Sequence, residues 1–121
     1  MKRESGSRGE RGMRVVLLNA FPLNAFPLQR FVAVFERVSP SKLVADLERA
    51  SEVANYIRHP ATVQCLSRVI GRELQPTSGF YSYQPNDVVY VIALKQLPAR
   101  GAEVVAVEVE DLDFLRVEVK P

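Results

Sequence analysis

Tryptophan is absent from this 121-residue chain, and cysteine and histidine occur once each, at Cys65 and His59. A single cysteine excludes an internal disulfide, so a reducing cytoplasm is the expected compartment. One His and one Cys leave too few ligands for a zinc centre, so no catalytic transition metal and no cofactor are expected. No apolar run approaches the ~18 residues of a membrane span. The opening MKRESGSRGERG has basic residues but no apolar stretch of signal-peptide length behind them. Glycine-rich phosphate loops, a serine elbow and HExxH are all missing.

What is present fits one soluble domain. Apolar residues make up 47% of the chain, enough for one modest core. The net charge of +2 is unevenly spread. Residues 1–14 hold Lys2, Arg3, Arg8, Arg11 and Arg14 against Glu4 and Glu10, which leaves 16 − 5 = 11 basic and 14 − 2 = 12 acidic residues in the body. The basic character therefore belongs to a tail, and a duplex-DNA footprint is not expected. Residues 1–12 read as a disordered basic tail, or as a mis-assigned start with Met13 the true one. Residues 13–121 read as a single domain.

Met13–Ala20 is an apolar run of buried-strand length. The tandem NAFPLNAFPL follows, and Pro22 and Pro27 exclude a helix interior or a central strand. It is expected to be an ordered loop with Phe21, Leu23 and Phe26 inward. Arg30–Val38 is β-branched and aromatic, hence a second strand. Ser39 or Ser41 caps a first helix, with Leu43, Val44 and Leu47 at helical spacing. Asn55–Arg58 is a short connection or strand. The second helix opens at His59-Pro60, proline being favoured at the first helical position, and stops at Gly71. Its predicted apolar stripe is Val63, Leu66, Val69 and Ile70.

Phe80–Gln84 alternates like a strand, Pro85-Asn86-Asp87 turns it, and Val88–Leu94 is the most apolar strand. Leu97–Gly101 is a further turn. Ala102–Val109 and Phe114–Lys120 are two more alternating segments. The sum is an α+β domain: a mixed sheet of five or six strands with two main helices on one face.

Among candidate site residues, Cys65 reads as a small buried hydrophobe. His59 lies at a helix N-terminus, where unpaired N–H groups favour anions. Arg58 stands beside it and Thr62 is one turn in, so the three form a candidate phosphate site. The competing reading is a histidine that merely caps a helix after a strand. Asn19 and Asn24 follow the first strand, where ligands bind in α/β sheets, or else satisfy local turns.

VVLLNAFPLN at 15–24, a helix opening I-x-H-x-x-T and ending at Gly71, P-x-D before an apolar strand, and an LPxxG turn together resemble one family. It is the small-protein family of archaeal viruses such as the Sulfolobus turreted icosahedral virus. Members also occur as a domain of unknown function in archaea and bacteria, and some are type III anti-CRISPR ring nucleases. The resemblance runs from about Arg14 to Gly101. It implies an α+β homodimer that binds a cyclic oligoadenylate, cyclic tetra-adenylate above all, in a pocket across the two-fold axis. It also implies metal-independent cleavage, in which a ribose 2′-OH attacks the adjacent phosphate and His59 is the general acid on the leaving 5′-oxygen. Histidine is suited to that role because its ordinary charge change falls near neutral pH.

The chain departs from the family pattern in several places. Pro22 stands where a serine is usual, and Ser78 where an arginine is. Lys95-Gln96-Leu97 lacks the arginine that precedes the turn, and the turn lacks its acidic residue. Arg58 replaces a glycine. Lys95 and Arg100 are the stand-ins for the missing arginines. A non-enzymatic dimeric interaction module of a virus or mobile element is the alternative function.

Overall fold

A computed structural model describes residues 13–96 and 106–120. The basic tail, Arg100, the LPARG turn and residues 102–105 of the expected Ala102–Val109 strand lie outside them. In chain order the elements are β1 (Arg14–Leu18), a 3-10 turn (Leu23–Ala25), β2 (Val32–Arg37), α1 (Pro40–Arg49), β3 (Glu52–Asn55), α2 (Pro60–Ile70), β4 (Asp87–Leu94), a second 3-10 turn (Val109–Asp111) and β5 (Leu112–Lys120). The five strands form one mixed sheet in the order β2-β5-β4-β1-β3.

β1 is central and parallel to both neighbours, with Leu17 beside Asn55 of β3 and Leu18 beside Val91 of β4. A strand covered on both faces needs a continuous apolar run, and RVVLL supplies one. β5 runs antiparallel to both β4 and β2. The period of two sends alternate side chains to opposite faces. Val15, Leu17, Tyr90, Ile92, Leu112 and Phe114 meet the helices, whose Leu43, Leu47, Ala61, Cys65 and Leu66 are buried against them. Val16, Leu18, Val89, Val91 and Val117 face the other way, onto Ala25, Phe26 and Tyr81. The α+β class and the two helices on one face are as expected from sequence.

Several local expectations are corrected. Leu23 is 68% exposed, not inward, because the 3-10 turn directs Ala25 and Phe26 to the sheet instead. β3 begins earlier than expected, at Glu52, and Tyr56–His59 is the connection to α2. Phe80–Gln84 is not a strand. Its inward tyrosines stack on the sheet, while its chain crosses that face without joining a ladder. Ala106–Glu108 is irregular and continues into the 3-10 turn, whose ends are tied by reciprocal Glu108 and Asp111 bonds. Ser39 is the N-cap residue of α1, yet its hydroxyl bonds the Ser41 hydroxyl at 2.8 Å rather than a backbone N–H. The buried face of α2 is Ala61, Thr62, Cys65 and Leu66, while Val63, Val69 and Ile70 sit half-buried at its margins.

Two stops are local chemistry. Gly71 ends α2 at φ 76°, with its N–H on the Ser67 carbonyl at 3.0 Å. Gln84–Asp87 is a tight turn closed at 3.1 Å. Pro85 holds its second position, and Asn86 supplies at its third the positive φ of 76° that a type II turn requires.

Candidate functional site

β1, β3 and β4 are parallel, so their carboxyl ends share one border of the sheet. Asn19 leaves β1 there, Tyr56–His59 leaves β3, and Lys95 leaves β4. α2 starts at the same border. Such a border is where open sheets with parallel strands hold ligands.

His59 is placed there by the turn before it. Asn55 is 1% exposed, and its side chain closes a small ring: the Ile57 N–H donates to Oδ1 at 3.0 Å, and Nδ2 donates to the Ile57 carbonyl at 3.3 Å. Ile57 is thereby driven into the core, and the chain turns outward at Arg58 and His59. His59 is half-buried and caps α2 through its backbone, its carbonyl accepting the Val63 N–H at 3.0 Å. Its Nδ1 lies 2.8 Å from Oγ1 of Thr62, a buried hydroxyl. When that hydroxyl donates to Nδ1, a neutral ring carries its proton on Nε2, and Thr62 fixes both tautomer and orientation.

Arg58 is engaged elsewhere. Its guanidinium donates to the carbonyls of Thr77 (2.9 Å) and Gly79 (3.0 Å) and braces the loop after α2 against the His59 turn. The brace continues through Asn55, whose N–H donates to the Thr77 hydroxyl (3.1 Å) and whose carbonyl accepts from the Thr77 N–H (2.6 Å). A charged fork already spent on two carbonyls is a positioning group first. Asn19 and Asn24 are exposed. Asn24 lies in the 3-10 turn over the helix-free face, whereas α2 packs on the other, so topology unites Asn19 with His59 more directly than Asn24.

Lys95 opens onto a different hollow. A cleft of about 330 Å³ is lined by Arg37, Val38, Pro40, Lys95, Val109, Glu110, Leu112, Asp113 and Phe114. Its cations are balanced by carboxylates, Arg37 reaching Asp113 at 3.4 Å. A second cleft of about 320 Å³ runs beside β3, between Ala50–Val53 and Arg72–Gln75. His59 lines neither. Among the described residues, no three of His, Cys, Asp and Glu cluster as metal ligands. No described helix is long and apolar enough to cross a membrane.

Two charged networks escaped the sequence reading. Asp46 is fully buried on α1 and receives Tyr90 Oη at 2.6 Å, Arg116 Nε at 3.0 Å and Arg49 at 2.8 Å. Burial alone would raise its carboxyl, but the bonds from Tyr90 and Arg116 outweigh it and hold the group below its ordinary value. Burial and the same carboxylate push the Tyr90 phenol up. At the opposite border, Arg14 grips Asp87 with two bonds of 3.0 and 2.9 Å, and Tyr81 donates to the same carboxylate at 2.6 Å. Burial and the Asp87 bond raise the Tyr81 phenol. Asp46 was visible as a charge inside the Leu43–Leu47 stripe; nothing local in sequence marked Arg14 or Tyr81. Cys65 is buried and free, its thiol pushed up by burial, which makes it an inert packing residue as expected.

A family model described as STIV B116-like matches residues 15–119. Among solved structures, B116 of Sulfolobus turreted icosahedral virus is similar, with a TM-score of 0.67 and 19% identity, covering 86% of this chain and 97% of that one. At that identity the likeness speaks for the fold. No curated protein matches the chain.

Proposed function

The chain belongs to the STIV B116-like family, and on that premise we propose that it is a metal-independent ring nuclease of the reducing cytoplasm. It binds a cyclic oligoadenylate, cyclic tetra-adenylate first, across the two-fold axis of a homodimer. The observation that carries this reading is the 2.8 Å bond between His59 and buried Thr62 at the mouth of α2, on the carboxyl border of the parallel strands.

The reaction is an internal displacement. The ribose 2′-oxygen forms a bond to the adjacent phosphorus as the bond to the 5′-oxygen breaks. The 2′-hydroxyl loses its proton to solvent, and protonated His59 gives its Nε2 proton to the leaving 5′-oxygen. The product is a linear oligoadenylate ending in a 2′,3′-cyclic phosphate. Thr62 holds the imidazole by Nδ1 while Nε2 works, and the N–H groups at the start of α2 receive the phosphate. In-line geometry enforced by binding takes the place of a metal. Asn19 contacts ribose or base, and Arg100 supplies charge in place of the missing arginines. Arg58 acts by bracing the Thr77–Gly79 loop beside the phosphate.

His59→Ala is expected to abolish cleavage of radiolabelled cyclic tetra-adenylate while binding persists. Wild-type protein that neither binds nor cuts any ring size rules the reading out.

A second reading, a non-enzymatic dimeric interaction module of a virus or mobile element, draws support from Phe80, which is 99% exposed, and from Arg58 already being engaged. A thermal-shift panel of cyclic oligonucleotides separates the two. A ring nuclease is stabilised by its ligand through mass action, and an interaction module shows no shift.

A further inference from the structure

A phenyl group left in water forgoes the burial that folding normally gives it. Phe80 is left there almost entirely, at 99% exposure. Its backbone is nevertheless held on both sides. Before it, the Thr77 and Gly79 carbonyls accept the Arg58 guanidinium at 2.9 and 3.0 Å, and Thr77 and Asn55 share bonds of 2.6 and 3.1 Å. After it, Tyr81 is buried and donates to Asp87 at 2.6 Å. Tyr81 and Tyr83 turn to the sheet, so alternation along the segment turns Phe80 and Ser82 outward.

The same bonds fix where the phenyl stands. Arg58 immediately precedes His59, and its guanidinium holds the carbonyl of the residue just before Phe80. Phe80 therefore borders the turn that presents His59 and the mouth of α2, where the phosphate of the cyclic ligand is received.

The surroundings say what suits it. Ser78, Gly79 and Ser82 around it in the chain are small and exposed. The other exposed large hydrophobics among the described residues are elsewhere: Val32, Val34 and Phe35 on β2 at the far edge of the sheet, and Leu23 in the first 3-10 turn. A partner protein needs a contiguous apolar patch. A nucleobase needs one aromatic face, with positive charge nearby for its phosphate. A lone phenyl beside the Arg58 guanidinium matches the second requirement and not the first.

We infer that Phe80 is a base-binding residue, whose phenyl face stacks on an adenine of the cyclic oligoadenylate that His59 cleaves. The inference rests on the ring-nuclease reading and deepens it. Stacking holds a nucleotide without charge, so it offsets part of the affinity that the arginines missing from the family pattern would contribute. It also makes stacking strength, rather than hydrogen-bond readout, the basis of base preference at this position.

The test separates binding from chemistry. Phe80→Ala is expected to raise both Kd and KM for cyclic tetra-adenylate about tenfold. The value of kcat at saturation stays within about twofold, since the stack is the same before and during the reaction. The melting temperature of the ligand-free protein is unchanged, because the side chain is exposed. Phe80→Leu keeps apolar bulk but has no aromatic face and is expected to behave as Phe80→Ala, whereas Phe80→Tyr keeps wild-type affinity. Phe80→Trp introduces the only tryptophan in the chain. Combined with His59→Ala, which leaves the ligand intact, its fluorescence is expected to be quenched as cyclic tetra-adenylate binds, with calorimetry recording the binding independently. Phe80→Leu binding as tightly as wild type, a tryptophan signal unmoved when calorimetry shows saturation, or a Phe80→Ala variant that loses kcat at unchanged KM overturns this inference and leaves the ring-nuclease reading standing. Wild-type protein that binds no ring size overturns both together.

Discussion

One face of the sheet is covered by two helices and the other by two irregular segments, and the two coverings obtain their order differently. On the helix face, Leu43, Leu47, Cys65 and Leu66 pack by helical spacing, and a single buried carboxylate, Asp46, ties α1 to Tyr90 and Arg116 of the sheet. On the loop face, no regular ladder fixes the chain. Aromatic rings do so: Phe26 lies 4.8 Å from Phe21, 5.5 Å from Phe31 and 5.0 Å from Tyr83 between ring centres, with Tyr81 meeting it edge-on at 6.1 Å. Irregular backbone can be as firmly held as a helix when a few large side chains are shared among its segments. His59 stands where the two coverings meet, with α2 beginning on one side and the Arg58 brace reaching the Thr77 and Gly79 carbonyls on the other.

The largest effect should come from the aromatic hub. Phe26→Ala is expected to cost about 4 kcal/mol, against about 3 kcal/mol for Leu66→Ala on the helix face. Urea denaturation measures both. A Phe26→Ala cost below 1 kcal/mol would mean that the loop face is a loose cover, and the comparison would fail.

Asp46 comes next. Removing one partner of a buried ion pair leaves the others uncompensated, so Asp46→Ala is expected to cost about 3 kcal/mol. The pH dependence has a definite sign. The folded chain holds this carboxyl below its ordinary value, so the unfolded chain binds the proton more readily. The contribution is full above the unfolded value of about 3.9 and fades as pH falls through the lower folded one. Asp46→Asn should flatten that acid limb. An unchanged acid profile would show that Asp46 is not the group responsible.

Tyr81→Phe is a smaller perturbation. It removes the 2.6 Å bond to Asp87 but leaves Arg14 in place. A hydrogen bond to a charged partner contributes about 1.5 kcal/mol. Hydrogen exchange should show faster opening of residues 80–84 and no change in α2. Equal loosening of both would deny that the two faces are ordered independently.

The same comparison explains what the sequence disclosed. The helix face follows rules of short range. Pro60 and Gly71 bracket α2, the Leu43–Leu47 spacing marks α1, and β1 and β4 are apolar enough to be central. The loop face depends on partners far along the chain: Arg14 meets Asp87 across 73 positions, and no window around either reveals the pair. FYSYQ alternates as a strand would, because Tyr81 and Tyr83 do face the sheet, but its backbone finds one bond to Ala25 rather than a ladder. The site was legible in part. His59 and Thr62 announce themselves as a helix mouth with a hydroxyl one turn in, and they meet at 2.8 Å. The brace formed by Asn55, Arg58 and Thr77 was not legible, since an asparagine at a strand end looks like any turn residue until its ring of bonds is seen. Lys95 entered as a stand-in for an arginine missing from the family pattern, yet it opens on the Arg37 cleft.

The central claim is that His59, set by Thr62, protonates a leaving 5′-oxygen without a metal. Mass spectrometry of cyclic tetra-adenylate incubated with the wild-type protein and excess EDTA tests it most directly. The account expects linear products ending in 2′,3′-cyclic phosphate, formed at the same rate as without chelator and missing from the His59→Ala reaction. Cleavage that EDTA stops, products with 5′-phosphate ends, or an intact ring after binding would contradict it.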